Sequence, residues 1–176
     1  MARLVPVFGE GFFHITWGTI YYTIVFDYVD LEGDYYDYVT SHELEDKEAE
    51  EARRRMQEFM DEEKVIVNGM RTRTIVDSAR IVFRGSRRRH SLVFHARIPY
   101  EPIDGLNVYE DYYEPETAEY PYTVYWIAQP CGKIRGVETP GYVDRLARGR
   151  IVEISISKGM RLDGYEAVEF EAHAEC

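Results

Sequence analysis

Apolar residues along the 176-residue chain recur mostly with the two-residue period of strands rather than the 3.6-residue period of helices. Ile20, Tyr22, Ile24 and Phe26 fall on one face of such a run, and Tyr21, Thr23, Val25 and Asp27 on the other. Both faces are largely apolar, which predicts a central strand covered on each side. This stretch belongs to a strand-forming run over residues 12–29, interrupted at Gly18, where a bulge or bend is expected. Residues 4–8 read as a preceding strand, and Gly9-Glu10-Gly11 as an ordinary turn. Asp30-Leu31-Glu32-Gly33-Asp34 reads as a turn into a strand over residues 35–39.

One segment has the helical period. Residues 41–62 predict an amphipathic helix, with Thr40 and Glu43 spaced as a capping box and carboxylates crowding the first turns. Glu50–Arg54 and Glu51–Arg55 are pairs in the favourable i,i+4 orientation. The apolar stripe (Leu44, Ala52, Met56, Phe59, Met60) is thin toward the N-terminus. The first half should project into solvent while the second packs on a sheet.

Beyond the helix, Asn68-Gly69 between residues 64–67 and 70–73 is a strong hairpin signal, because both residues tolerate the positive φ of a type I′ turn. Strands are expected over 74–84 and 89–98, joined through Gly85-Ser86. A proline-punctuated, loop-rich middle follows around 107–113, then strands near 122–128, 150–157 and 165–172. Lys158-Gly159 and Asp163-Gly164 bracket a final hairpin. The pattern predicts a single, mainly β (α+β) domain over residues 1–176: an antiparallel β-sandwich or barrel-like sheet with one helix inserted near 41–62.

Charge adds one constraint. The net charge of −11 is concentrated between Asp27 and Glu63, where 15 Asp and Glu face four Lys and Arg. The rest of the chain is neutral, which disfavours a general nucleic-acid binder, since phosphate neutralisation needs a basic footprint. Few Asn and Gln among many charged residues resemble thermophile composition. No run of about 18 uncharged apolar residues is present to cross a membrane, and the N-terminus has no leader pattern, so a cytoplasmic location is expected. Cys131 and Cys176 are too few for a disulfide framework or zinc ribbon and are expected to be unpaired.

Candidate chemistry is sparse. His14, His42, His90, His95 and His173 are scattered, and His173 with Cys176 offers only two of the three or four ligands a zinc site needs. Asp27, Asp30, Glu32, Asp34 and Asp37 surround one turn without the spacing of a calcium loop. There is no nucleophile elbow, P-loop or dinucleotide fingerprint, so no catalytic residue, metal or cofactor is implied. The sharpest local feature is Arg84-Gly85-Ser86-Arg87-Arg88-Arg89-His90, a hairpin tip at which Arg87, Arg88 and Arg89 could contact an anion or a partner, including the chain's own acidic segment. The 15 tyrosines cluster at 21–38 and 109–125; Tyr suits interfaces because it offers wide contact area at low entropy cost.

These features predict a non-enzymatic binding or assembly domain acting through a Tyr-rich surface and segregated acidic and Arg-rich patches, with a protein partner or a second copy of itself. The alternative is a small enzyme or ligand-binding β-barrel whose site converges only in the fold, with His14, His95 and the arginine tip as first suspects. An interior cavity lined by perturbed acids or histidines would favour that alternative.

Overall fold

The computed structural model describes residues 3–41 and 44–176. The chain begins with strands β1 (Leu4–Thr16) and β2 (Thr19–Asp30), then helices α1 (Tyr35–Ser41) and α2 (Glu45–Glu62). Strands β3 (Lys64–Val67), β4 (Met70–Thr72), β5 (Ile75–Ser86), β6 (Arg89–Pro99) and β7 (Gly105–Tyr112) follow. The last half adds β8 (Glu116–Thr117), β9 (Tyr122–Ile127), β10 (Ile134–Glu138), β11 (Tyr142–Leu146), β12 (Ile151–Ile156), β13 (Arg161–Leu162) and β14 (Tyr165–Ala172). The protein is mainly β, as the alternation predicts.

A seven-stranded sheet ordered β11-β12-β9-β1-β2-β6-β5 faces a five-stranded sheet ordered β10-β14-β7-β3-β4. Strand pairing is antiparallel except for β1 with β9. The arrangement is sandwich-like rather than a closed barrel. The core between the sheets holds Phe13, Ile15, Trp126, Val152, Ile154 and Ile156 from the larger sheet and Val65, Tyr109, Val168 and Phe170 from the smaller. The inner face of the larger sheet extends beyond the smaller one, and the helices cover that overhang. Met60 of α2 packs on Ile24, Val76, Phe94 and Ala96, while Tyr35 and Val39 of α1 pack on Ile81.

Several expectations change. Gly9 and Gly11 lie inside β1 on its buried face rather than in a turn. A β-carbon at Gly11 would sit 3.1 Å from the Tyr22 ring, and one at Gly9 3.1 Å from Cβ of Tyr122. The glycines are there to admit aromatic side chains, which a local reading of the chain cannot see. Gly18, at φ +82°, belongs to the turn between β1 and β2 and is not a bulge in one long strand. The outer face of β2 is unevenly covered: Tyr21 on it is exposed, whereas Val25 is buried.

Residues 35–39 form part of α1 instead of a strand. Tyr35 and Val39, at i and i+4, are its buried pair, and the buried Asp30 carboxylate accepts the N–H groups of Tyr35 (2.9 Å) and Glu32 (3.1 Å). Thr40 consequently lies in the last turn of α1, its hydroxyl donating to the Tyr36 carbonyl at 2.7 Å, and does not cap α2; its proposed partner Glu43 lies outside the described residues. The N-cap of α2 is Leu44, without a side-chain cap bond. The helical ion pairs are Glu50–Arg53, Glu51–Arg54, Glu51–Arg55 and Arg54–Glu58, so Arg54 turns to Glu51 and Glu58 instead of Glu50.

The Asn68-Gly69 hairpin forms as expected, with φ of 52° and 76°. The supposedly loop-rich residues 107–113 instead supply most of β7, in the middle of the smaller sheet. β12 and β14 do not form a hairpin, because each belongs to a different sheet. The turn between β5 and β6 falls at Arg87-Arg88, beyond Gly85-Ser86.

Cys131 and Cys176 form a disulfide with Cα atoms 5.9 Å apart, which corrects the expectation of unpaired thiols. The C-terminal segment is zipped onto the β9–β10 connection by Glu171 N–H to Lys133 O at 2.8 Å and His173 N–H to Gln129 Oε1 at 2.7 Å. That pairing brings together cysteines separated by 45 positions. Closing a loop of that length contributes about 2–4 kcal/mol. Cys176→Ser should therefore lower the unfolding free energy by about that amount in denaturant titration, and an unchanged midpoint would show that the cross-link adds nothing. Among the described residues, no helix is long and apolar enough to cross a membrane.

Candidate functional site: an acidic cavity lined by aromatic rings

Where the sandwich core meets the helix-covered overhang, the two sheets leave a cavity of about 510 Å³. Its back wall is the inner face of β1 and β2, where the absence of side chains at Gly9 and Gly11 leaves room for Tyr22, Tyr120 and Tyr122. Phe13 is stacked between Tyr22 and Trp126, with ring centroids 3.8 and 4.1 Å apart respectively. The Met56–Met60 end of α2 borders one side, with Phe59 more than half exposed. The segment from Tyr113 to Tyr122 borders the other.

Three half-buried carboxylates project into this space. Asp111 on β7 and Glu166 on β14 are direct cross-strand partners on the inward face. Glu63 joins α2 to β3, whose Lys64 and Val65 pair with Tyr112 and Asp111. Like charges directly opposite on neighbouring strands are destabilising, and here they face a largely aromatic interior. Burial pushes Glu63 up to about 8, with the charges of Asp111, Glu166 and Glu116 adding to the shift. Burial likewise takes Glu166 to about 7, against a hydrogen bond from Thr139 at 3.0 Å. Asp111 rises to about 6 through burial, opposed by the Tyr109 hydroxyl and the Tyr112 N–H.

The buried phenols respond to the same field. Tyr22 and Tyr109 are raised well above the usual tyrosine range, first by burial and then by the neighbouring carboxylates. Two polar atoms of the lining, Asp111 Oδ1 and the Tyr113 hydroxyl, are buried without a hydrogen-bond partner. Glu116 and Glu119 bring the carboxylates facing the cavity to five, since Glu10 points to the other face of β1 beside Tyr125, and no Lys, Arg or His lines it among the described residues. Lys64, the nearest cation in sequence, points the other way and lies over the outer ring of Tyr112. No group of three or more His, Cys, Asp or Glu among the described residues is arranged to hold a metal ion.

No family model matches the chain. No curated protein matches it either. Solved structures of yeast LTA4 hydrolase, one native and one in complex with bestatin, are similar to it at TM-scores of 0.37 and 0.41 with 8% identity. The alignments cover 97–98% of this chain and 30% of theirs. Nothing about chemistry passes from them to this protein.

The arginine tip is separate from the cavity. Arg87 pairs with Asp37 at 3.1 Å and lies over the Tyr36 ring, so it engages the acidic segment of its own chain. The Arg88 side chain lies across Gly33, where a β-carbon would meet its Nε at 3.0 Å. Arg89 borders a second cavity of about 450 Å³ with Arg84, Glu10 and Asp27, a lining of mixed sign. His14 and His95 are exposed on the outer face of the larger sheet, His95 beside the Thr23 hydroxyl at 3.3 Å. His90 is buried among Tyr28, Tyr35 and Phe83, and burial lowers its pKa. His173 contacts Asp104 at 3.1 Å, and its supposed co-ligand Cys176 is in the disulfide.

The carboxylates around residues 27–37 are largely used locally. Asp27 bonds Ser91, Asp37 pairs with Arg87, and Asp30 holds the start of α1. Burial raises the Asp30 pKa, but backbone N–H donors from Tyr35, Gly33 and Glu32, with His90 nearby, outweigh it and leave the group below its ordinary value.

Glu63, Asp111 and Glu166 had no signal in the sequence, where any of 32 acids was an equal candidate. The tyrosine clusters were a usable hint: the middle cluster supplies Tyr109, Tyr113, Tyr120 and Tyr122 to the cavity, and the early one Tyr22.

Proposed function

We propose that the protein is a binding module for a small organic cation taken into the aromatic-acidic cavity. The observation that carries this reading is a lining with five inward carboxylates, stacked aromatic rings and no basic side chain among the described residues. Burying anions without partners is costly, and the groups respond by retaining protons. A bound cation supplies the missing countercharge, and aromatic faces add cation–π attraction that strengthens as water is excluded. The cavity volume falls within the range of small-molecule sites. Among the described residues no three-ligand metal cluster lines the cavity, and its aromatic walls suit an extended organic cation.

The test is calorimetric titration of the whole chain with primary alkylamines and with tetramethylammonium at pH 7.5. Binding is expected, and Glu166→Gln should weaken it about tenfold, in line with loss of one charge-assisted contact. Failure of every cation to bind, or preferential uptake of a carboxylate or phosphate ligand, would overturn the reading.

A second reading rests on the same three acids. Carboxyl groups titrating at about 6 to 8 suit general acid–base work near neutral pH. Turnover of a cationic substrate, abolished in Glu166→Gln, would favour it over simple binding.

Self-association through surface tyrosines is a further reading, supported by the edge strand β11, whose five residues are all exposed and include Tyr142 at 70%. Edge strands of this kind invite pairing with another chain. Sedimentation at micromolar concentration is expected to show a dimer or larger, and a monomer at all concentrations would refute it.

A further inference from the structure

We propose that the cation taken by this cavity is a polyamine, a flexible chain bearing one ammonium group among Glu63, Asp111 and Glu166 and a second at Glu116 and Glu119. The inference rests on the cavity reading above and specifies its ligand. The acids of the lining fall into two tiers. Glu63, Asp111 and Glu166 are half-buried at the base, whereas Glu116 and Glu119 are exposed at the mouth. The tiers are electrostatically connected: the Glu116 charge acts on Glu63, and also on Tyr113, Tyr120 and Tyr122 between them. A compact monocation reaches one tier and leaves the other unpaired, but a diamine or triamine satisfies both.

The wall between the tiers fits what lies between two ammonium groups. Ile24, Phe26, Val124 and the Tyr122 ring offer apolar surface to a run of methylenes. Burial of that run removes apolar surface from water and adds to affinity.

The two orphaned atoms narrow the class further. Asp111 Oδ1 can only accept when ionised, and the Tyr113 hydroxyl can accept as well as donate. Both are satisfied by N–H donors, which primary and secondary ammonium groups carry and quaternary ones lack. The mouth is held in place rather than free to collapse. β8 pairs with β13, and Ala118 exchanges backbone hydrogen bonds with Met160 (2.9 Å) and Gly159 (2.8 Å). Glu116 and Glu119 therefore flank an anchored residue. Pre-positioned charges of this kind lower the ordering cost of binding a flexible ligand.

The experiment titrates the full chain calorimetrically at low salt and pH 7.5 with propylamine, tetramethylammonium, putrescine and spermidine. Putrescine and spermidine are expected to bind at least tenfold more tightly than propylamine. The double variant Glu116→Gln/Glu119→Gln should narrow that gap to less than threefold. Glu166→Gln should weaken putrescine and spermidine about tenfold, and Asp111→Asn provides the same reading should the first variant fail to fold.

If propylamine binds as tightly as putrescine, or tetramethylammonium binds most tightly, the polyamine inference falls while the cation-binding reading stands. If no amine binds, both fall. Polyamine binding that is insensitive to Glu166→Gln and Asp111→Asn would place it on the external acidic segment, and would also overturn the inference.

Discussion

Thermal stability should fall as pH rises from about 5 to about 8, and Glu63→Gln should remove a large part of that fall. In the folded chain Glu63 titrates at about 8, Glu166 at about 7 and Asp111 at about 6. Unfolded, the same groups titrate near 4. Between these limits the folded state binds more protons than the unfolded state, so the slope of unfolding free energy with pH is negative. Their contribution is fully favourable below about pH 4 and is lost as pH passes through the folded values.

The groups facing them from β2, β7 and β9 are the phenols Tyr22, Tyr109 and Tyr122, which stay neutral throughout and supply no countercharge. At pH 8, Glu63→Gln should raise the unfolding free energy by about 2 kcal/mol, well within the 1.4 kcal/mol per pK unit that linkage allows. The gain should vanish near pH 4, where the native carboxyl is already protonated. Calorimetric melting points across this range would check it. A melting point that holds steady or climbs toward pH 8, with no gain from Glu63→Gln, would mean that the acids are not desolvated as the cavity implies. A saturating organic cation should flatten the wild-type profile, because it stabilises the ionised acids.

Phe13→Ala should cost about 3–5 kcal/mol of stability, the range for losing a large aromatic from a packed core. Phe13 is 7% exposed and stacks against Tyr22 on one side and Trp126 on the other. It also touches Tyr109 of the smaller sheet at a centroid distance of 6.0 Å, so it ties both sheets to the cavity wall. Removing it frees Tyr22 and Tyr109 together, and ligand affinity should fall with stability. Equilibrium denaturation would measure the first effect. A loss below about 1 kcal/mol would show that the stack does not hold the sandwich to the cavity.

A helix ending at Glu62, the Asn68-Gly69 turn and the shared face of Ile20, Tyr22 and Ile24 were all legible in the sequence. Each is written in a local period of 2 or 3.6, or in the φ preference of one or two residues. The errors have a shared origin. The Tyr- and Val-rich run over residues 35–39 has strand composition, yet Tyr35 and Val39 bury as an i,i+4 pair because Asp30 starts a helix there. Gly9 and Gly11 look like a turn because their purpose, room for Tyr22 and Tyr122, lies on other strands.

The cavity shows the same division more sharply. The linear charge pattern placed the acidity between residues 27 and 63, and the remainder was neutral. The site draws Glu63 from that segment but Asp111, Glu116, Glu119 and Glu166 from the neutral remainder. What concentrates them is the pairing of β3 with β7 and of β7 with β14, which sets Glu166 opposite Asp111 and brings Glu63 alongside. Local periodicity fixes which face a side chain takes, since that depends on its own backbone. Which charges share a buried space depends on strand order and register between distant segments, and only the tertiary structure decides that.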